Sequence, residues 1–284
     1  NPEFLQESNA IRDTKYPHAI ILGGKQTKYM KKAKMFFSKM HPNVPIVITN
    51  FQTAEMIKYA NNSFLATKIS FINQLSNICQ NIPGTNIDDI AKIIGLDSRI
   101  GKLFLNAGPG YGGACLPKDI SALIKFSDKI GVKPILLSAV EKTNNEQMNN
   151  IIFLMKKILG SIPSKRITIL GTAFKPNTDD VRDSKSIELI KKLLKNKAKI
   201  TIHDPKAIEN TKKIFGKKII YAKSIADALN KSQCGIIMTH WKQYDTLNNH
   251  SIKHMSKKII IDCRRVLVKK ELDAEYYAIG IGKN

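Results

Sequence analysis

The last part of the chain alternates short apolar segments with segments of helical periodicity. This alternation begins at Arg166 and is carried by RITIL, SIELIKKLLKN, KITIH, SIADALNK, CGIIMT and KIIID. Continuous apolar strands that alternate with helices are typical of a parallel sheet covered by helices. The sequence therefore predicts a parallel α/β domain at this end of the chain.

The section before this domain is predicted to be helical. From Thr53 to about Cys79, apolar residues recur at threes and fours, and neither proline nor glycine interrupts them. TNIDDIAKIIG is predicted to be a short helix with a capping box from Thr85 to Asp88 and a stop at Gly95. Two further helices are predicted near residues 119–130 and 135–159.

The start of the chain is predicted to be part of a larger α/β domain. Strands near residues 20–22 and 44–49 flank a lysine-rich helix, and two strands with one helix cannot enclose a core. NPEFLQES is predicted to pass from a strand and a turn into a helix. Taken alone, Glu3 and Glu7 would then share an exposed helix face.

The chain has a large positive charge, +23, with a pI near 9.8. Such a charge could attract nucleic acid, an acidic membrane surface or a phosphorylated ligand. The lysines are spread over nearly every segment, which favours a solvated surface, so no nucleic-acid partner is expected. No apolar run is long enough to cross a membrane and no signal segment opens the chain, so we expect a cytoplasmic protein without membrane contact.

The cysteines and histidines do not predict a metal site or a disulfide framework. The cysteines are scattered without a C-x-x-C pair, and the histidines lack ligand spacing. Cys79, Cys234 and Cys263 lie in apolar or strand-like segments and are expected to be small buried hydrophobic residues. Cys115 differs, because it lies among glycines.

In the stretch AGPGYGGACLPKD, residues 107–119, Cys115 directly follows the glycine-rich part. Pro117 suits the first turn of a helix, so the thiol should lie at a helix N-terminus, where free N–H groups and the helix dipole favour the thiolate. Lys118 adds positive charge, and the glycines let a ligand approach the backbone. These features indicate a nucleophile beside a bound substrate, and a structural cysteine in a tight turn is the alternative.

Two more sets of residues are candidates for chemistry. Asp119 lies one helical turn after Cys115, where a carboxylate could orient water. Lys58 and Asn62 lie one turn apart on the long helix and could together stabilise an oxyanion. Each has a structural alternative, because acids are favoured in the first turn of any helix and Lys58 could be solvated.

In the last domain, two motifs follow strand ends, where α/β sheets bind ligands. GTAFKPNTDDVRDS offers Lys175 and Arg182, and DCRRVL offers Arg264, as contacts for phosphate or carboxylate. ILGTAF has a single glycine, so this strand end lacks the G-x-G-x-x-G motif of a dinucleotide site.

Together these motifs resemble, in order and rough spacing, those of the UDP-glucose/GDP-mannose dehydrogenase family. The resemblance covers essentially the whole chain and is carried by NPEFL, KYANNSFL, SRIG, GPGYGGACLPKD, GTAFKPNTDDVRDS and DCRRVL. GYGGACLPKD is most similar to the branch that oxidises UDP-glucose. The implied fold is α/β: a remnant of an N-terminal Rossmann domain in residues 1–50, a central all-helical dimerisation domain in 51–150, and a C-terminal Rossmann-like UDP-sugar domain in 151–284.

The resemblance implies an NAD-dependent, metal-free oxidation of UDP-glucose to UDP-glucuronate in two steps. Cys115 would hold the aldehyde as a thiohemiacetal that is then oxidised to a thioester. GDP-mannose oxidation is an alternative, because the two enzymes share most of these motifs. Most of the family's N-terminal NAD-binding domain is absent from this sequence, so an inactive fragment or an oligomerisation subunit is another alternative.

The resemblance also implies roles for single residues. Lys58, Asn62 and Asp119 match positions that activate water and stabilise oxyanions, and Glu3 matches an acid/base for hydrolysis. Arg99 matches an arginine that reaches into a neighbouring subunit, and a homodimer through the central helix is implied. The positions that match the cofactor side are Glu7, Lys118 and Arg182. The positions that match the sugar-nucleotide site are Phe4, Leu5, Arg99, Phe104, Leu105, Asn106, Tyr111, Gly112, Phe174, Lys175 and Arg264.

Overall fold

The computed structural model describes residues 1–25, 27–268 and 270–283. The chain divides into two compact units, Asn1–Phe64 and Leu65–Asn284. The helices of the described residues are α1 Ala10–Lys15, α2 Lys28–Met40, α3 Phe51–Cys79, α4 Ile87–Ile94, α5 Leu116–Lys129, α6 Ile135–Leu159, α7 Lys185–Lys195, α8 Ile208–Phe215 and α9 Ile225–Leu229. Their strands are β1 Ile20–Gly23, β2 Ile46–Thr49, β3 Arg166–Leu170, β4 Lys199–His203, β5 Ile220–Tyr221, β6 Cys234–Ile237, β7 Ile259–Asp262 and β8 Glu275–Ala278.

The first unit contains a two-stranded parallel sheet in which Ile20 of β1 pairs with Ile46 of β2. The side chain of Asn1 donates a hydrogen bond to the backbone oxygen of Ile21, at 2.7 Å. The lysine-rich helix α2 lies between the two strands in sequence, and Thr27 caps it by accepting from the N–H of Met30. The predicted strand–helix–strand segment is therefore confirmed.

The segment before α1 differs from its prediction. α1 begins only at Ala10, and Glu3 and Glu7 precede it, so they do not share a helix face. Ser8 has a φ of +71°, a left-handed conformation that an α-helix cannot include. Residues 1–6 form no helix and residues 7–9 form a turn, so both acidic residues lie outside α1.

The second unit contains a six-stranded sheet in the order β5-β4-β3-β6-β7-β8. All neighbouring strands are parallel, which confirms the predicted parallel α/β domain. The chain moves outward from β3 through β4 to β5 and then returns to the other side of β3 with β6. The carboxyl ends of β3 and β6 therefore form the switch point at which such sheets bind ligands.

Helices and loops cover both faces of this sheet. On one face, Ile169 packs with Met148 of α6 and Leu189 of α7. On the other face, Leu170 packs with Trp241. Burial of each side chain of this size stabilises the fold by about 1.5–3 kcal/mol. Because α6 belongs to the core of the sheet, its inward-facing polar residues are held in fixed positions.

The predicted helices α3, α5 and α6 are confirmed, but α3 buries a different face from the one its apolar stripe suggests. Phe71 and Ile78 are exposed, whereas Ala66, Ile72 and Asn73 are buried. Besides Ile72, this buried face carries small and polar residues, and Asn73 accepts the N–H of Gly108 from the neighbouring backbone.

The cap of α4 lies one residue later than the sequence predicts. Asn86 is the cap, and its side-chain oxygen accepts from the N–H of Asp88 at 2.9 Å. The hydroxyl of Thr85 instead donates to the backbone oxygens of Cys79 and Ile82, each at 2.8 Å. The predicted capping box from Thr85 is therefore wrong, and Thr85 secures the turn after α3.

Candidate functional site

The glycine loop, defined here as residues 107–114, is held by three buried amide side chains. Gly108 donates its N–H to Oδ1 of Asn73 at 2.7 Å and accepts from Nε2 of Gln147 at 2.9 Å. Tyr111 donates its N–H to Oδ1 of Asn144 at 2.8 Å and accepts from Nδ2 of the same residue at 3.1 Å. The backbone on both sides of the central Pro-Gly pair is thus fixed.

The end of the glycine loop packs directly against the loop that follows β3. Gly113 donates its N–H to the backbone oxygen of Arg182 at 3.1 Å. Gly113 has a φ of +84°, and a Cβ atom there would lie 2.6 Å from the ring of Phe174. A Cβ atom at Gly112 would overlap the backbone oxygen of Asp183. Glycine is therefore required at both positions by close backbone approach.

Cys115 lies immediately before α5, which begins at Leu116 with Pro117 in its first turn. This confirms that the thiol is at a helix N-terminus. Cys115 is exposed, and its backbone oxygen accepts from the N–H of Asp119 at 2.9 Å. The carboxylate of Asp119 is buried and lies 3.0 Å from the ammonium group of Lys118.

The other three cysteines are buried, as the sequence predicts. Burial raises the pKa of the Cys234 thiol, and burial together with the charge of Asp262 raises the pKa of the Cys263 thiol. Neutral, enclosed thiols are poor nucleophiles. Cys115 is therefore the accessible thiol among the described residues.

The loop after β3 is shaped by a buried carboxylate. Asp204 accepts from the N–H groups of Thr172 and Ala173, at 2.6 and 3.0 Å. This arrangement directs the chain toward Phe174, whose ring lies 5.4 Å from the ammonium nitrogen of Lys175. Phe174 and Lys175 therefore lie together at the carboxyl end of β3, beside the switch point.

Arg182 lies farther along the same loop. Its guanidinium lies 2.6 Å from Asp180, and its side chain is exposed. Since Arg182 also accepts from Gly113, one residue contacts the glycine loop through its backbone and carries a cation toward solvent.

Arg264 follows β7 and packs against the glycine loop at Gly108. The Oδ1 atom of Asp262 accepts its N–H at 2.9 Å, and its Nε donates to the backbone oxygen of Met238 at 2.8 Å. A Cβ atom at Gly108 would lie 2.8 Å from its Nη1. Burial lowers the pKa of Arg264 to about 10, so the side chain remains a cation at neutral pH.

The neighbouring Arg265 was not identified from the sequence. Its side chain is only 4% exposed, and its Nε lies 2.8 Å from a carboxylate oxygen of Asp88. Its Nη2 donates to the backbone oxygen of Ala107 at 2.9 Å. The sequence shows two adjacent arginines, Arg264 and Arg265, but it does not indicate that Arg265 forms an ion pair with α4.

A cavity of about 550 Å³ lies within the second unit between the start of the glycine loop and the two arginines. It brings together the predicted substrate residues Leu105, Asn106 and Arg264. Lys92 and Lys102 add positive charge to its wall. Several cations around one cavity suit an anionic ligand such as a diphosphate.

A second cavity, of about 490 Å³, is lined by Tyr111, Pro117, Arg182 and Lys185. It lies beside the first turn of α5, close in sequence to Cys115. Burial raises the pKa of Tyr111, so its hydroxyl stays protonated at neutral pH. Of the remaining predicted substrate residues in this unit, Phe104 has a φ of +65° and Gly112 is half-buried.

Arg99 is exposed and paired locally. Its Nη2 lies 2.6 Å from Asp97, and hydrogen bonds from Arg99 lower the pKa of that carboxyl. It does not line either of the two cavities described above.

The first unit holds the other predicted residues. The ammonium group of Lys58 donates to the backbone oxygen of Glu3 at 2.5 Å and lies 5.3 Å from the ring centre of Phe4. Asn62 follows one turn later on α3 and is buried. Leu5 and Glu7 are exposed. The ammonium group of Lys58 therefore contacts the backbone carbonyl group of Glu3 and the aromatic ring of Phe4.

Neither a metal centre nor a membrane span is found in the part of the chain that the structure describes. In residues 1–25, 27–268 and 270–283, no three His, Cys, Asp or Glu side chains are grouped so as to hold an ion. No helix there combines the length and apolarity that crossing a bilayer requires.

Comparison with known proteins identifies the family. Residues 52–146 match the central domain of the UDP-glucose/GDP-mannose dehydrogenase family, and residues 168–269 match its UDP-binding domain. The chain belongs to this family. The glycine loop and Cys115 lie inside the first matched region, and Lys175 lies inside the second.

Relatives of the chain include UDP-glucose 6-dehydrogenases. That of Rickettsia felis is 39% identical over 99% of this chain and 64% of its own length. The enzyme AglM of Haloferax volcanii is 41% identical over 97% of this chain and 64% of its own length. The structure of a UDP-glucose dehydrogenase from Pyrobaculum islandicum is similar at a TM-score of 0.89 and 32% identity, over 99% of this chain and 63% of that one. The chain thus spans somewhat less than two thirds of these relatives.

Proposed function

We propose that this chain carries the sugar-nucleotide site and the covalent nucleophile of a UDP-glucose 6-dehydrogenase. The observation that carries the proposal is the cationic cavity in the second unit, where Asn106 of the segment before the glycine loop and Arg264 line one space. A nucleoside diphosphate sugar offers the two negative charges and the polar hydroxyls that such a wall can bind. The similarity to UDP-glucose 6-dehydrogenases favours UDP-glucose over GDP-mannose.

The proposed division of the chain follows the family resemblance. Residues 1–50 would be the final part of a dinucleotide-binding domain, 51–150 the helical domain with the nucleophile, and 151–284 the UDP-sugar domain. The proposed substrate contacts are Phe4, Leu5, Arg99, Phe104, Leu105, Asn106, Tyr111, Gly112, Phe174, Lys175 and Arg264.

The proposed role of Cys115 is covalent. Its sulfur would add to the C6 carbonyl carbon of the sugar aldehyde, forming a C–S bond while the carbonyl oxygen takes up a proton. After oxidation to the thioester, water would attack the same carbon, so that the C–S bond breaks, the Cys115 thiolate is released and the sugar carbon becomes a carboxylate. The exposed thiol at the start of α5 supports this role, because helix N–H groups favour a thiolate and an adjacent oxyanion.

The other proposed catalytic groups would manage water and protons. Asp119 is buried one turn from Cys115, where its carboxylate could hold the attacking water. Lys58 and Asn62 would stabilise negative charge on oxygen, and Glu3 would act as acid/base during hydrolysis. Cation and amide donors of this kind lower the energy of a developing oxyanion.

NAD is the cofactor that the resemblance implies, and it would accept the two hydrides when bound. The spacing G-x-G-x-x-G occurs at Gly108, Gly110 and Gly113, but this segment does not follow a β-strand as the glycine-rich turn of a dinucleotide site does. A Cβ atom added at Gly171, which follows β3, would lie 2.5 Å from the Cβ atom of Thr239. The absence of a side chain at position 171 therefore makes room for Thr239 and not for a phosphate group. The residues present therefore fit only the edge of a dinucleotide site, and Glu7, Lys118 and Arg182 are its proposed contacts.

A homodimer through α3, in the cytoplasm, completes the proposal. Phe71 and Ile78 lie two helical turns apart on α3, and both are exposed. Burial of such a stripe against a second copy would remove apolar surface from water. Sedimentation velocity should give the mass of two chains, and a monomer at micromolar concentration would contradict it.

Calorimetry with UDP-glucose tests the proposed function. The chain should release or absorb heat saturably, with GDP-mannose binding more weakly. An absence of heat at millimolar UDP-glucose would count against the substrate. The alternative of a non-catalytic subunit is tested by NADH production with and without a full-length relative. If the chain alters the relative's assembly but adds no activity that depends on Cys115, it is a subunit and not an enzyme.

A further inference from the structure

We propose that Asn144, assisted by Gln147 and Asn73, is a positioning residue that holds the glycine loop ready for the sugar nucleotide. The inference rests on the proposed function, in which that loop contacts the ligand. All three side chains are buried, and each forms hydrogen bonds with the backbone of the loop.

Asn144 makes a paired contact with a single residue. Its carbonyl oxygen accepts the N–H of Tyr111, and its NH₂ group donates to the backbone oxygen of Tyr111, at 2.8 and 3.1 Å. The pairing resembles that of two strand residues, and it fixes both peptide planes around Tyr111. An aspartate would lose the donor, and a leucine would lose both groups while filling a similar volume.

The loop sequence is adapted to this amide. Gly110 has a φ of +107°, and a Cβ atom there would lie 2.6 Å from Oδ1 of Asn144. Any other residue at position 110 would displace the amide or the loop. Gly110, between Pro109 and Tyr111, therefore leaves the space that the Asn144 amide needs to reach the backbone of Tyr111.

Gln147 has its orientation fixed by a further amide. The Nδ2 atom of Asn77 donates to Oε1 of Gln147 at 2.9 Å, so Nε2 must face the backbone oxygen of Gly108. The chain Asn77–Gln147–Gly108 thus has one consistent set of donors and acceptors. A rotated amide would place two oxygen atoms against each other.

The helix that carries these amides is itself anchored. Asn144 and Gln147 lie on one face of α6, and Met148 and Ile151 on the following turn are in the core of the large sheet. The loop is therefore attached to a rigid element. A loop that is already in its bound conformation binds without an ordering cost. If the loop is loosened, only a fraction of the molecules can bind, and the apparent affinity falls in proportion to that fraction.

The test compares Asn144→Leu and Asn144→Asp with the unmodified chain by calorimetry with UDP-glucose. Asn150, which is exposed on the same helix, provides the matched controls Asn150→Leu and Asn150→Asp. Asn144→Leu should bind at least about tenfold more weakly, because two buried backbone groups lose their partners. Both Asn150 variants should bind as the unmodified chain does.

Asn144→Asp supplies a readout that a merely structural role would not produce. A protonated carboxyl group has one donor and one acceptor, as the amide has, whereas the ionised form lacks the donor and repels the backbone oxygen of Tyr111. The affinity of this variant should therefore approach that of the unmodified chain near pH 5 and fall as the pH rises to 8. Asn150→Asp should show no such dependence.

The failure of this inference is distinct from the failure of the proposed function. If Asn144→Leu folds and binds within twofold of the unmodified chain, or if Asn144→Asp shows no additional pH dependence, the positioning role is overturned. If the unmodified chain gives no heat, the substrate is wrong, and hydrogen exchange at Tyr111 decides the positioning role alone. Exchange there should accelerate at least about tenfold in Asn144→Leu, and an unchanged rate would overturn the role.

Discussion

Asp88 and Arg265 are 177 positions apart in the chain, yet a carboxylate oxygen of Asp88 accepts from Nε of Arg265 at 2.8 Å. The pair joins the first turn of α4 to the segment after β7. The same guanidinium donates to the backbone oxygen of Ala107, where the glycine loop begins. One side chain therefore links the helical section, the large sheet and the start of the loop proposed to bind the sugar nucleotide.

Asp88→Asn should lower the free energy of unfolding by about 1 kcal/mol, because the nearly buried guanidinium keeps a weaker, neutral partner. The value is modest because Asp88 itself is partly exposed. Urea unfolding would measure it, with Asp89→Asn as the control, since Asp89 is an exposed acid on the same turn of α4. Equal destabilisation by both variants would mean that the pair contributes nothing specific.

Cys115 should be the one thiol in the described residues that reacts rapidly in the folded protein. It is exposed, whereas Cys79, Cys234 and Cys263 are buried. A chromogenic disulfide reagent near pH 8 should therefore modify one thiol quickly and the others only after unfolding in urea. The fast phase should be absent in Cys115→Ser. A fast phase that persists in this variant would show that a buried thiol becomes accessible in the native state.

Gly113→Ala should destabilise the fold more than Gly131→Ala does. Both glycines have positive φ values, +84° and +79°. An added Cβ at position 113 would meet Phe174, whereas nothing lies within 4 Å of one at position 131. The Gly131 variant should cost about 1 kcal/mol from backbone strain, and the Gly113 variant about 1–3 kcal/mol more from overpacking. Equal costs in urea unfolding would contradict the close approach of the two loops.

The features predicted well from the sequence are those that depend on local pattern. Apolar segments such as RITIL predicted the parallel sheet, because a strand buried on both faces must be apolar at every position. Pro117 placed Cys115 at a helix start, because proline is favoured in the first helical turn. Both inferences used only neighbouring residues.

The features that were missed depend on contacts between distant segments. Asn144 and Gln147 resemble ordinary polar residues of a long helix, and only the folded chain shows that they face the glycine loop. Arg265 could not be separated from Arg264 without the position of Asp88. The predicted helix face of Glu3 and Glu7 failed for a different reason, since nothing in the sequence marks the non-helical residues 1–6 or the left-handed φ of Ser8.

His203 should make the stability of the fold depend on pH below neutrality. It lies at the end of β4, is nearly buried, and its Nδ1 is 3.1 Å from the hydroxyl of Tyr244. Burial lowers the pKa of His203, and the nearby charge of Asp204 opposes this only in part. The folded state therefore holds this imidazole neutral at a pH where the unfolded chain would protonate it.

The sign of the effect follows from proton uptake. As the pH falls below about 6.5, the usual pKa of an unfolded histidine, the unfolded state binds the proton first and the free energy of unfolding decreases. Urea unfolding of the unmodified chain and of His203→Gln between pH 5 and 8 isolates this contribution, because all other groups are shared. The advantage of the unmodified chain should shrink toward pH 5, while His250→Gln, which changes an exposed histidine, should follow the unmodified curve. Parallel curves for His203→Gln and the unmodified chain would show that this imidazole titrates alike in both states.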